Sequence, residues 1–202
     1  AALDFLSENI ILPAREALKG TVDEACYQSF LDLYNQFLAM PRASFLDTIS
    51  EGIYYRIQNA YFTEKYAAAN ASSGKVEPAS LAETSDAQLW RIEKQADGTA
   101  CLVNKATEGY AYITSAADGS VLYGNGQVST ARNAWTLTQL TTDQGATGIA
   151  IVETTGVYSW YTNPSAFASL IMKPKDYGAS IWNFIETNVT TGIRSVNTDN
   201  QD

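Results

Sequence analysis

The chain has 202 residues, a formal net charge of −9, only 13 Lys and Arg, 17% charged residues and no histidine. Binding phosphates takes clustered basic side chains, and these are scattered, so no nucleic-acid partner is expected. The lack of histidine removes His-based triads, His metal sites and the commonest general base. No apolar run reaches the roughly 18 residues of a membrane-spanning helix, so no membrane span is expected.

Residues 1–50 are predicted to form an α-helical hairpin. The first helix runs from Leu3 to Leu18, with Pro13 starting a new segment or kinking it and Gly20 ending it. Thr21-Val22-Asp23-Glu24 has the pattern of a capping box for the second. There Tyr27, Phe30, Leu31, Tyr34, Phe37 and Leu38 recur three and four apart as one apolar stripe, and Pro41 stops it. Cys26 in this helix and Cys101 in a later strand are read as two buried free thiols, with a disulfide as the alternative.

Residues 51–188 hold three repeats. Trp90, Trp135 and Trp182 follow one another at intervals of 45 and 47 residues, each in a short strand-like segment. Upstream of each, a glycine opens a β-rich run: Gly52, Gly98 and Gly148. Turn residues divide every repeat into four strand candidates. The first and fourth strands are predicted to make a six-stranded barrel, and the second and third to make three hairpins that cap it. The fold class is therefore mainly β, a β-trefoil of three four-stranded repeats preceded by the helical hairpin. Residues 189–202 lack apolar periodicity and read as a linker or tail.

With Gln88-Leu89-Trp90 fitting a Gln-x-Trp motif outright, and Asn133 and Ser180 at the Gln position of the other repeats, residues 52–188 resemble the ricin B-type β-trefoil lectin family. The resemblance implies carbohydrate binding. It also implies a site made of an Asp in the second strand of a repeat, an aromatic platform near the third strand and polar residues before the Gln-x-Trp. Aligning Tyr66, Tyr112 and Trp160 as inward second-strand aromatics leaves Ala67, Ile113 and Tyr161 at the carboxylate position. None of them is Asp. In the tail, Thr191-Gly192-Ile193-Arg194-Ser195-Val196 resembles the junctions that precede C-terminal sorting or accessory β-domains in secreted Bacteroidetes proteins. That likeness implies export and a longer native chain.

The third repeat offers the best candidate ligand residues: Tyr158, Tyr161 and Asn163, phenols that can stack and bond beside a side-chain amide. Strand alternation sends Trp160 inward if Tyr161 faces outward. The first repeat has only Ala67, Ala68 and Ala69 where ligand groups are needed. Glu93 and Glu186 are read as equivalent positions after their tryptophans, a repeated surface position rather than a catalytic dyad. With no catalytic residues, metal ligands or cofactor motif, the expectation is a non-catalytic, carbohydrate-binding-like module of a larger secreted or cell-surface protein, with glycans and other domains of the chain as partners. The alternative is a protein-binding or protease-inhibitor-type trefoil working through a loop at Ala69–Glu77 or Asn163–Ser169, or a purely structural accessory domain.

Overall fold

The computed structural model describes residues 9, 12–21, 24–39, 44–142 and 145–190. They fall into two units, Ala1–Ala43 and Ser44–Asp202. The first holds helices α1 (Leu12–Leu18) and α2 (Glu24–Ala39). Pro13 stands at the second position of α1, where its missing N–H removes no helical bond. Gly20 leaves α1 at φ 74°, a left-handed turn that glycine adopts without steric cost. The stripe residues Tyr27, Phe30, Leu31 and Tyr34 are half-buried, whereas Leu33 on another face is 66% exposed. Most of the expected helix before Leu12, the Val22-Asp23 half of the capping box and the tail from Thr191 lie outside the described residues.

The second unit starts at Ser44, several residues before the expected start at 51. A 3₁₀ turn, Phe45–Thr48, is held by a reciprocal cap: the Ser44 hydroxyl accepts the Leu46 N–H, and the Ser44 N–H donates to Asp47. It belongs with the β unit because Leu46 and Ile49 are buried in that core and Phe45 packs on Phe184 at 5.2 Å. Twelve strands follow: β1 (Ile53–Asn59), β2 (Tyr66–Ala69), β3 (Val76–Ala79), β4 (Trp90–Lys94), β5 (Ala100–Asn104), β6 (Tyr110–Ile113), β7 (Leu122–Gly126), β8 (Trp135–Thr141), β9 (Thr147–Glu153), β10 (Tyr158–Tyr161), β11 (Ile171–Pro174) and β12 (Ile181–Thr190). Antiparallel pairings β1·β4, β4·β5, β5·β8, β8·β9, β9·β12 and β12·β1 close a six-stranded ring.

Hairpins β2·β3, β6·β7 and β10·β11 cap the ring. They lock together through backbone bonds from Leu122 N–H to Leu170 C=O, Leu170 N–H to Val76 C=O and Gly124 N–H to Gly74 C=O. A ring of first and fourth strands under three hairpins is a β-trefoil. The opening turns of the repeats use left-handed glycines, Gly52 (φ 75°), Gly98 (φ 82°) and Gly145 (φ 78°). In the third repeat the turn glycine is therefore Gly145 and not Gly148, which lies inside β9. Gly148 serves a different need: a Cβ there would stand 3.1 Å from the Trp182 carbonyl.

All three repeat tryptophans are fully buried and bonded alike. Trp90 Nε1 donates to the Ala67 carbonyl at 2.9 Å, Trp135 Nε1 to Ala111 at 3.1 Å and Trp182 Nε1 to Trp160 at 2.9 Å. Each indole N–H thus satisfies itself on the second strand of its own repeat. A fourth ring, Trp160, meets Trp90 edge-on at 5.7 Å and Trp135 at 5.4 Å in the core.

Candidate functional site

The tryptophan bonds give a structural alignment of the repeats. Equivalent inward second-strand residues are Ala67, Ala111 and Trp160, all fully buried. The sequence alignment through Tyr66 and Tyr112 is therefore off by one residue, in opposite directions, in the first two repeats. The cause is that an aromatic in those strands sits beside the core position, while a methyl group occupies it. The next residues, at the position where the family resemblance expects a carboxylate, are Ala68, Tyr112 and Tyr161. The correction still finds no Asp there.

Gln88, the motif glutamine, is buried and committed to the backbone. Its Nε2 donates to the Ser80 carbonyl at 2.7 Å and its Oε1 accepts the Ala82 N–H at 2.9 Å. Ser180, its counterpart in the third repeat, donates to the Pro174 carbonyl, and Asn133 reaches the Val128 carbonyl at 3.5 Å. These side chains pin the loop after each third strand. Glu93 and Glu186 turn out not to be equivalent. Glu93 pairs with Cys101 across β4·β5, three residues after Trp90, whereas Glu186 pairs with Tyr55, four after Trp182. A one-residue offset puts the two on opposite strand faces. Glu93 binds Arg91 and Tyr110, and Glu186 accepts from Ser50 and Tyr55, so each has its own hydroxyl or guanidinium partners.

Three equivalent residues close the first strands and were missed in the sequence: Asn59, Asn104 and Glu153, each 3% exposed or less. They sit opposite Trp182, Trp90 and Trp135 in register. Asn59 Nδ2 donates to the carbonyls of Ala179 and Ile181, and its Oδ1 accepts the N–H groups of Tyr61 and Phe62. Asn104 does the same with Ala87, Leu89, Ala106 and Thr107. Glu153 has nothing to donate and instead gathers Thr155, Val157 and Tyr158. The available signal was a polar residue ending the first strand of every repeat.

One cavity of about 380 Å³ opens at the seam between the third and first repeats, lined by Tyr61, Phe62, Tyr161, Asn163, Tyr177, Gly178 and Ala179. Tyr61 and Phe62 come from the turn after β1, Tyr161 ends β10, and Gly178 and Ala179 form a 3₁₀ turn before β12. Asn59 ties the two walls together, because its four bonds reach the Tyr61-Phe62 turn on one side and Ala179 on the other. Tyr161 stands edge-on to Tyr177 at 6.1 Å and to Phe167 at 6.5 Å. The Asn163 carboxamide oxygen accepts the Ser165 N–H at 3.2 Å, while its nitrogen has no partner among the described residues.

Of the three candidate residues, Tyr161 and Asn163 line this cavity and Tyr158 does not. Tyr158 shares its strand face with Trp160 and packs against the core, with its backbone N–H on Glu153. Tyr61, Phe62 and Tyr177 were not singled out from sequence, since two lie a whole repeat away from the third.

The profile of the ricin-type beta-trefoil lectin domain-like family matches residues 44–123, which are the first four-strand unit and the second as far as the start of β7. The β unit has the β-trefoil fold. This trefoil is similar to a Polyporus squamosus lectin bound to the human-type influenza-binding epitope, with 20% identity over 67% of this chain and 49% of that one and a TM-score of 0.54. It is similar also to the Macrolepiota procera ricin B-like lectin in complex with lactose: 13% identity, 69% of this chain, 99% of that one, TM-score 0.55. A Clostridium perfringens GlcNAcα1-4Gal-releasing endo-β-galactosidase matches at 22% identity and TM-score 0.52, over 67% of this chain but 32% of the enzyme. The chain thus spans about a third of that enzyme and half of the Polyporus lectin. No curated protein matches the sequence. Identities this low carry the trefoil fold across, and the ligand has to be argued from the cavity.

Proposed function

We propose that the trefoil is a non-catalytic carbohydrate-binding module of a secreted or cell-surface protein, and that it binds glycan in the seam cavity. The observation that carries this is the lining: four aromatic rings and a carboxamide donor with no partner among the described residues, around about 380 Å³, within the usual size range of small-molecule sites. Rings can cover the apolar face of a sugar while phenol and amide groups meet its hydroxyls. The similar lectins add support from their fold. Export rests on the tail's likeness to sorting-domain junctions and on the extracellular setting in which such glycans occur. A carboxylate pair facing the cavity would favour a glycosidase, and its lining contains no carboxylate.

Glycan-array screening of the full chain, repeated with Tyr161→Ala, tests the proposal. Wild type should bind at least one glycan family and the variant should lose it while keeping the wild-type melting temperature within a few degrees. Binding to no glycan, or equal binding by the variant, would overturn it; inhibition in a serine and cysteine protease panel would then favour the protein-binding alternative.

A further inference from the structure

The seam cavity is built from two repeats and carries no formal charge. None of its seven lining residues is Asp, Glu, Lys or Arg, and the protein around it has a net charge of −9. Resting on the carbohydrate reading above, we propose that this cavity selects neutral sugars against acidic ones, and that Tyr61 of the first repeat and Tyr177 of the third are its stacking platforms. An acidic sugar would lose hydration on entry and meet no cation in the lining, because Lys173, whose charge reaches Tyr161 and Tyr177, is already paired with Asp118 at 2.7 Å, and the field of the whole molecule would oppose its approach. A neutral pyranose has no such cost and offers an apolar face to each wall.

The rings are arranged for this. Tyr61 and Tyr177 are 53% and 48% exposed, so both rings are accessible from solvent. Tyr61 meets Phe62 at 78° and Tyr177 meets Tyr161 at 76°, so neither pair is stacked face to face. Asn163, with its oxygen engaged and its nitrogen free, presents donors only, which suits a hydroxyl or ring oxygen. The two platforms belong to repeats that meet where β12 closes on β1, and Asn59 fixes their backbones relative to each other.

Calorimetric titration of the full chain separates the possibilities. The neutral probes are lactose, cellobiose and N-acetyllactosamine, and the acidic ones are sialyllactose and a galacturonic acid dimer. At least one neutral probe is expected to bind, with the acidic probes roughly tenfold weaker or more, and the gap is expected to persist when salt screens the long-range field. Tyr61→Ala and Tyr177→Ala should each weaken the neutral probe by roughly tenfold, as loss of an aromatic anchor does, while Tyr61→Phe keeps the ring and most of the affinity. Equal or tighter binding of acidic probes overturns the inference, as does a glycan whose affinity falls with Tyr161→Ala but not with Tyr61→Ala or Tyr177→Ala; either result leaves the lectin reading standing. Binding of no probe of either class, together with a blank array, removes both.

Discussion

Replacing Glu153 is the most direct probe of how this trefoil holds its repeats. Its carboxylate is 3% exposed and accepts four bonds: Oε1 takes the Thr155 hydroxyl at 2.6 Å and the N–H groups of Val157 and Tyr158 at 3.1 Å, and Oε2 takes the Thr155 N–H at 2.6 Å. Burial pushes this carboxyl up, but the Thr155 hydroxyl and the three N–H groups together outweigh it and hold it below the usual 4.5. In Glu153→Gln the remaining oxygen can keep the first three bonds, but the new NH₂ faces the Thr155 N–H, donor against donor. One charge-assisted bond is lost and one part-buried donor is stranded, about 2 kcal/mol in all. For a unit of this size that lowers Tm by about 4–8 °C near pH 7. Because the folded-state value is depressed, the wild-type advantage is complete above the unfolded value of 4.5 and fades as pH falls through the lower folded one. Thermal unfolding of both proteins between about pH 7 and pH 3 should show the Tm gap narrowing on the acid side. A second variant sharpens the test: Glu153→Asn installs the residue present at Asn59 and Asn104, able to donate to the carbonyls of Arg132 and Ala134 while accepting from the turn. It should cost less than Glu153→Gln, and its gap from wild type should also narrow in acid, because it too lacks the titrating carboxyl. A gap that is constant with pH, or that widens in acid, would refute the reasoning.

The threefold indole bonds predict that Trp90→Phe and Trp182→Phe each strand one carbonyl in the core, Ala67 or Trp160, and destabilise by about 1–3 kcal/mol, with similar values for the two; denaturant unfolding would show it, and a loss confined to one of the pair would count against equivalence. Both cysteines are free thiols; Cys26 is exposed, contrary to the expectation that both are buried, and Cys101 is buried. Burial, followed by the nearby charges of Glu93 and Asp97, pushes the Cys101 thiol up. Under native conditions a thiol reagent should label Cys26 quickly and Cys101 only after unfolding, which mass mapping of the labelled peptides would check.

Repeat architecture was legible because it is written in large residues. A tryptophan ending each repeat marks a fixed place in a closed ring, and nothing else in the chain competes with that period. Register inside the repeats was not legible, since the core places at Ala67 and Ala111 are filled by methyl groups flanked by tyrosines, and aromatic content pointed to the wrong neighbour. The same happened with Gly148, a glycine chosen by its place before an apolar run when the turn conformation lay at Gly145. Two of the seven lining residues, Tyr161 and Asn163, were visible because they are close in sequence. The other wall was hidden: Tyr61 and Phe62 lie about a hundred residues earlier and reach the cavity only through the pairing of β12 with β1, a contact that no local pattern encodes.

At the middle of the trefoil stands a single indole, Trp160, with the side chains of Ala67 and Ala111 reduced to methyls at the two matching places. The repeats are therefore not interchangeable parts. A chain assembled from three copies of the third would crowd three indoles into room for one, and a chain of three copies of the first or second would leave the centre hollow. Shuffling these modules, or exchanging one between relatives, would succeed only if the incoming piece carried the bulk its slot demands. Each repeat folds to the same outline, yet the third alone is cut to fill the hub.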